Sequence, residues 1–93
     1  MIGLTRLDRH ATLVGRMAET TGIDMADALV TGRLSGPSLR GAVLRCCGCD
    51  KAEACQGWLD AQERGRQERQ AGAAPATAPD YCRNRDLMAR LRP

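Results

Sequence analysis

Apolar residues near the start of the chain recur at intervals of three and four positions. Such spacing places side chains on one face of an amphipathic helix, which we predict over residues 5–20. Thr21-Gly22 ends this helix, because glycine adopts the left-handed conformation of a helix C-terminus at little cost. The predicted apolar face consists of Leu4, Leu7, Ala11, Val14, Met17 and Ala18.

Three further helices are predicted from local start signals. Asp24 is expected to cap a short second helix that ends near Gly32. Residues 35–37, Ser-Gly-Pro, open a third helix, since proline is favoured in a first turn. Asp50 is the predicted N-cap of a fourth helix, with Glu53 in the capping-box position. The third helix is expected to bury Leu39, Ala42, Val43 and Cys46.

The second half of the chain is predicted to contain a polar helix, a linker and a last short helix. Residues 61–70 are polar on all sides and indicate a solvated extension of the fourth helix. Residues 71–80 are rich in Ala and Pro and predict a flexible linker. Asn84 is the expected N-cap of a last helix, whose apolar face consists of Leu87, Met88 and Leu91. No strand-like alternation occurs, so residues 1–93 are predicted to form a single all-α domain, a small bundle of four to five short helices.

The chain has little apolar material for a bundle of this length. Leu, Ile, Val and Phe supply 15 of its 93 residues, below the roughly 20% at which a soluble domain begins to look short of core. Domains this small often depend on disulfides or a metal for stability. The five cysteines are the candidates for that role, and we expect the bundle to be organised around a cysteine-ligated metal centre.

Four of the five cysteines lie within ten residues of one another. Their spacing is Cys46-x2-Cys49-x5-Cys55, with Cys82 a further 27 positions along the chain. Thiolates select zinc or the iron of iron–sulfur clusters. We predict that Cys46, Cys49, Cys55 and Cys82 ligate one [4Fe–4S] cluster, because a cubane is wide and accepts ligands from separated segments. Cys47 is left as a packing residue or free thiol, since Cys47 with Cys49 would form a tighter and less usual chelate.

Other uses of the cysteines stay open. Zinc is the main alternative, although structural zinc commonly takes two paired knuckles and this chain has one. Redox disulfides or plain buried thiols are further possibilities, but an odd number of cysteines argues against a closed disulfide framework. Trp58 and Leu59 share a helical face with Cys55 and are expected to cover the site.

Charged residues lie next to the cysteines in sequence. Arg45, Lys51, Arg83 and Arg85 would stabilise an anionic cluster, or they are solvated surface charges. His10 is the only histidine, and we predict a surface role for it because it lies beside the apolar stripe of the first helix.

Charge and hydropathy limit the location and the partners. No apolar run approaches the length of a membrane span, and charges near the start occupy positions where a signal peptide needs apolar residues. We therefore expect a cytoplasmic protein without membrane contact. The net charge is only +3, and one Trp and one Tyr offer little stacking surface, so composition gives little support for nucleic acid. A protein partner is expected instead.

Two resemblances follow from these residues. Residues 46–59, which read CCGCDKAEACQGWL, are similar to the Cys-x2-Cys-x5-Cys segment of WhiB-like iron–sulfur regulators. In that family the segment supplies three ligands of a [4Fe–4S] cluster. This chain differs from the family because its remaining cysteine lies downstream of the segment. It also lacks the family's Gly/Trp-rich turn and basic tail. The whole chain resembles a family of short bacterial four-cysteine proteins of unassigned function, which implies that the four cysteines form one site. That resemblance is carried by His10, residues 16–19, residues 45–59 and residues 81–84.

Three hypotheses about function result. The favoured one is a cytoplasmic iron–sulfur protein that acts as a redox- or oxygen-responsive regulator or accessory protein, because cluster loss would loosen a domain with little other core. Four cysteine ligands would leave no open iron, so we expect no enzyme activity. The alternatives are a small [4Fe–4S] electron carrier and a zinc-stapled protein-interaction module.

Overall fold

The computed structural model describes residues 6–68 and 76–92. Over these ranges the chain forms helices and turns without any strand, which confirms the all-α class. The predicted extension of the fourth helix is observed to residue 68, and its last two residues lie outside the described ranges. The helices are α1 (Arg6–Thr20), α2 (Met25–Val30), α3 (Gly36–Cys47), α4 (Ala52–Glu68) and α5 (Arg85–Leu91).

Two helix starts follow the predicted capping chemistry. The Asp24 side chain accepts a hydrogen bond from the backbone N–H of Asp27 at 3.0 Å. Ser35 does the same for the N–H of Ser38 at 3.1 Å. Each side chain satisfies an N–H group that has no partner within its helix, so α2 and α3 begin where the sequence predicts.

The C-terminus of α1 is a Schellman motif. Gly22 has φ +86°, the left-handed conformation that glycine adopts without a Cβ clash. Its N–H donates to the carbonyl oxygen of Glu19, and the N–H of Ile23 donates to that of Ala18 at 2.9 Å. Ile23 and Ala18 are both buried, which adds the apolar contact typical of this motif.

The buried face of α1 differs from the predicted one. Leu7 is 51% exposed and Ala11 is also exposed, whereas His10 is buried. The apolar stripe is therefore wrong in the first half of the helix, and Leu4 lies outside the described residues. The prediction selected positions by hydrophobicity alone. The buried positions instead follow the helical spacing i, i+3, i+4, i+7 and i+8 counted from His10, which is polar. The buried residues of α1 are His10, Leu13, Val14, Met17, Ala18 and Thr20.

The core lies around α1, against which α2, α3 and α4 all pack. The predicted faces of α3 and α5 are confirmed, with Leu39 and Cys46 half-buried at the edge of the core. An ion-paired Arg16 joins α1 to α4 through Asp60 at 2.7 Å and Glu63 at 3.0 Å. The core consists of Leu13, Val14, Met17, Ala18, Ile23, Ala28, Leu34, Ala42, Val43, Leu59, Ala78, Leu87, Met88 and Leu91.

The segment before α5 lies against the bundle. Residues 76–80 are not helical, but Ala78 is buried in the core. The carbonyl oxygen of Pro79 accepts a hydrogen bond from the N–H of Cys82 at 3.0 Å. Residues 71–75 of the predicted linker lie outside the described ranges, so its flexibility stays a prediction.

Candidate metal centre

A cavity beside the end of α3 is lined by all four cysteines that the sequence analysis selects. Cys46 lies in the last turn of α3, Cys49 in the α3–α4 turn, Cys55 in α4 and Cys82 before α5. Cys47 is half-buried but is not among the lining residues. The cavity volume is about 30 Å³, which corresponds to about two water molecules at the 10–15 Å³ that one water needs. The other lining residues are Leu13, Ala52, Tyr81, Arg83 and Asn84.

Cys49 and Cys82 are held by the same local arrangement. The Cys49 sulfur accepts a hydrogen bond from the backbone N–H of Lys51 at 3.4 Å, two residues further on. The backbone N–H of Asn84, again two residues further on, favours the thiolate of Cys82 and so opposes the rise in its pKa. Both pairs come directly before a helix, and N–H groups directed at sulfur favour a metal-bound thiolate.

The start of α4 differs slightly from the prediction. The helix begins at Ala52, one residue later than a cap at Asp50 would place it. The carbonyl oxygen of Lys51 accepts the hydrogen bond from the Cys55 N–H at 2.8 Å, which is the role of the N-cap carbonyl. This turn leaves the Lys51 N–H free to approach Cys49.

Asn84 connects the Cys82 segment to α3. It precedes α5 as predicted, but its side chain makes no capping hydrogen bond. Instead, its Oδ1 accepts a hydrogen bond from Arg45 Nε at 2.9 Å, and its Nδ2 donates to the carbonyl oxygen of Ala42 at 2.9 Å. Asn84 is therefore the N-cap residue as predicted, and its carbonyl oxygen accepts the N–H of Met88 at 2.9 Å, but its side chain is 4% exposed and both of its polar atoms are bound by α3 instead of by the first turn of α5.

His10 contacts a cysteine of the cavity. Its Nδ1 lies 3.2 Å from the Cys46 sulfur, and the residue is only 5% exposed. The predicted surface role is therefore wrong. Burial lowers the pKa of the imidazole, and the cationic Arg6 and Arg9 lower it further. The position three residues before Leu13 was the available signal, since it places His10 on the buried face.

The surroundings of three of the cavity thiols favour the protonated form. Burial, together with a smaller contribution from the four other cysteines nearby, raises the pKa of Cys46 to about 11. Burial also raises the pKa of Cys55 and that of Cys82. A bound cation would reverse this preference, because its positive charge favours thiolates and releases their protons.

Residues predicted to surround the site have different roles. Of the four flanking cations, Arg83 lines the cavity, whereas Arg85 lies 3.7 Å from Asp80 in an exposed ion pair. Trp58 and Leu59, expected as a cover, are not among the lining residues, and Leu59 is fully buried in the core. Leu13, Ala52 and Tyr81 are the apolar and aromatic residues that line the cavity.

The metal itself stays a prediction. Within residues 6–68 and 76–92, no group of three or more His, Cys, Asp or Glu side chains is arranged to hold a metal ion. The observed feature is a cavity shared by four thiols. In the same ranges, no helix combines the length and the apolar character needed to cross a membrane.

Comparisons with known proteins give a family without an assigned activity. No curated protein and no solved structure matches the chain. A family model matches residues 1–93, and it is not that of the WhiB-like regulators. The chain therefore belongs to the family of unknown function DUF6455.

Proposed function

We propose that Cys46, Cys49, Cys55 and Cys82 hold one [4Fe–4S] cluster and that the protein is a redox- or oxygen-responsive regulatory or accessory protein of the cytoplasm. The observation that carries this proposal is the shared cavity. Sulfurs from two parts of the sequence, 27 positions apart, line it together, while Cys47 does not.

The chemistry of the cavity suits such a group. Its candidate donors are thiols, and Leu13 and Ala52 supply apolar wall that limits the access of water. Backbone N–H groups directed at Cys49 and Cys82 would stabilise bound thiolates. The cluster, when bound, supplies one-electron redox chemistry and sensitivity to oxidation. Four cysteine ligands leave no open iron, which favours a role without substrate catalysis.

A regulatory role is supported by the way α5 is attached. The helix buries three apolar side chains, and Asn84 binds its N-terminal end to α3. At its other end, Arg33 Nη1 donates to the carbonyl oxygen of Leu91 at 3.1 Å. Cys82 adds a further attachment only if it is metal-bound. Cluster loss would therefore weaken the docking of α5 and change the surface offered to a protein partner.

The test is an assay of iron, inorganic sulfide and zinc on protein purified without air. We expect about four iron and about four sulfide atoms per chain, as a [4Fe–4S] cluster requires. Zinc without sulfide would refute the proposal and favour the zinc-stapled interaction module. Protein that takes up neither metal under anaerobic reconstitution would refute both.

Anaerobic voltammetry and circular dichroism then separate the regulator from the electron carrier. For a regulator, we expect the cluster to break down on exposure to air and the helical signal to fall with it. A reversible one-electron couple with unchanged helicity after many cycles would favour the carrier instead.

A further inference from the structure

We propose that His10 is a positioning residue for the cluster, whose Nδ1–H donates a hydrogen bond to the Cys46 sulfur and raises the reduction potential. This inference rests on the proposed function. It is carried by the distance of 3.2 Å between Nδ1 and the sulfur, and by the burial of the imidazole, which is 5% exposed.

The contact is part of a fixed helix pair. His10 lies in α1 one turn before Leu13, which itself lines the cavity. In the preceding turn, the Arg6 guanidinium donates a hydrogen bond to the backbone carbonyl oxygen of Cys47. The start of α1 is thus attached to the end of α3 at two adjacent positions, and the imidazole has little freedom to leave Cys46.

The direction of the hydrogen bond follows from the state of the sulfur. A metal-bound Cys46 is a thiolate without a proton, so the imidazole must carry the proton on Nδ1 and donate it. The reduced cluster has one more negative charge than the oxidised cluster. A donor to a ligand sulfur therefore stabilises the reduced state more and raises the potential.

His10 is also the donor that mutation can remove. The Cys49 sulfur accepts its hydrogen bond from a backbone N–H, and a backbone N–H also favours the Cys82 thiolate; substitutions other than proline leave both N–H groups in place. Among the hydrogen bonds of the described residues, the contact of His10 with Cys46 is the one between a side-chain nitrogen and a cavity sulfur. This makes the inference testable at a single position.

The test compares His10→Leu with His10→Asn in the full chain. Leucine fills similar space without a donor, whereas the asparagine amide nitrogen can occupy the position of Nδ1. Iron and sulfide are measured first, and the midpoint potential is then measured without air. We expect His10→Leu to shift the midpoint potential by about 59 mV toward more negative values. For a one-electron couple, this equals an about tenfold change in the ratio of reduced to oxidised cluster, toward the oxidised form. His10→Asn should stay close to the unmodified protein. A fully loaded His10→Leu variant at the original potential, or equal shifts in both variants, would overturn the inference.

A measurement on the unmodified protein covers the case in which the variants lose the cluster. The protein is labelled with isotopic histidine nitrogen, reduced, and examined by pulsed electron paramagnetic resonance. The expected result is a weak magnetic coupling between an imidazole nitrogen and the unpaired electron spin of the reduced cluster. A loaded cluster with no such coupling, or with the strong coupling of a direct iron–nitrogen bond, would overturn the inference alone. Absence of iron and sulfide from the unmodified protein would overturn the proposed function and the inference with it.

Discussion

The side-chain amide of Asn84 donates a hydrogen bond to the backbone carbonyl oxygen of Ala42 at 2.9 Å. The same side chain accepts a hydrogen bond from Arg45 on the next turn of α3. Asn84 lies two residues after Cys82, and Ala42 lies four residues before Cys46. This pair of hydrogen bonds therefore holds together the two parts of the chain whose sulfurs share the cavity.

Replacing Asn84 by alanine should destabilise the protein and reduce its retention of the cluster. The change removes two hydrogen bonds from a buried position, so we expect a loss of about 1–3 kcal/mol in the free energy of unfolding. Anaerobic urea unfolding followed by circular dichroism measures the loss. Arg85→Ala is the control, because it removes only an exposed ion pair with Asp80 and should change little. Equal effects of the two substitutions would contradict the prediction.

Cysteine substitutions should divide into two classes. Serine at Cys46, Cys49, Cys55 or Cys82 should abolish or destabilise the cluster, because each of these sulfurs lines the cavity. Cys47→Ser is the matched control and should leave the iron content and the visible absorbance nearly unchanged. Both quantities are measured on protein purified without air. The ligand assignment is wrong if Cys47→Ser loses the cluster while Cys82→Ser keeps it.

Arg16→Met should weaken the attachment of α1 to α4 in a salt-dependent manner. Arg16 binds Asp60 and Glu63, but these carboxylate side chains are 55% and 41% exposed. Solvent screening limits the expected loss to about 0.5–1 kcal/mol, and added salt should reduce the difference from the unmodified protein. Urea unfolding at low and high salt provides the measurement. Arg40→Met, at an exposed position of α3, should show no such salt dependence; a salt-independent loss for Arg16→Met would indicate lost packing instead.

Two glycines should respond to alanine with opposite signs. A Cβ at Gly15 or at Gly32 would meet no atom within 4 Å, so neither change creates a clash with a neighbouring residue. Gly32 has φ +82°, where an L-residue costs about 1–2 kcal/mol, so Gly32→Ala should destabilise. Gly15 lies inside α1, where alanine is better than glycine by up to about 1 kcal/mol, so Gly15→Ala should stabilise. Thermal unfolding measures both, and a shift of the same sign would refute the backbone explanation.

The sequence predicted those parts of the fold that local chemistry decides. Asp24 and Ser35 cap their helices because the capping oxygen and its N–H partner lie within three residues. The faces of α3 and α5 follow from apolar spacing alone. The burial of His10 and the side-chain partners of Asn84 were not predicted, because each depends on contacts with another helix, which periodicity does not register.

The cysteines were selected by ligand chemistry rather than by any structural pattern. Spacing indicated that Cys46, Cys49 and Cys55 lie near one another, since all three fall around one turn and the start of one helix. The approach of Cys82 depends on how α5 packs, and local spacing contains no information about that. The identity of a bound metal depends on supply and redox state as well as on the donors, so it stays a prediction.

The distance in sequence between Cys55 and Cys82 has a consequence for the unfolded chain. A group bonded to both sulfurs would close residues 55–82 into a loop, as a cross-link does. By analogy with disulfides, restricting the unfolded chain in this way stabilises the native state by roughly 3–4 kcal/mol for a loop of this size. Rupture of the single bond to Cys82 would return this conformational freedom to the unfolded chain. One broken iron–sulfur bond would therefore be enough to lower the stability of the whole protein.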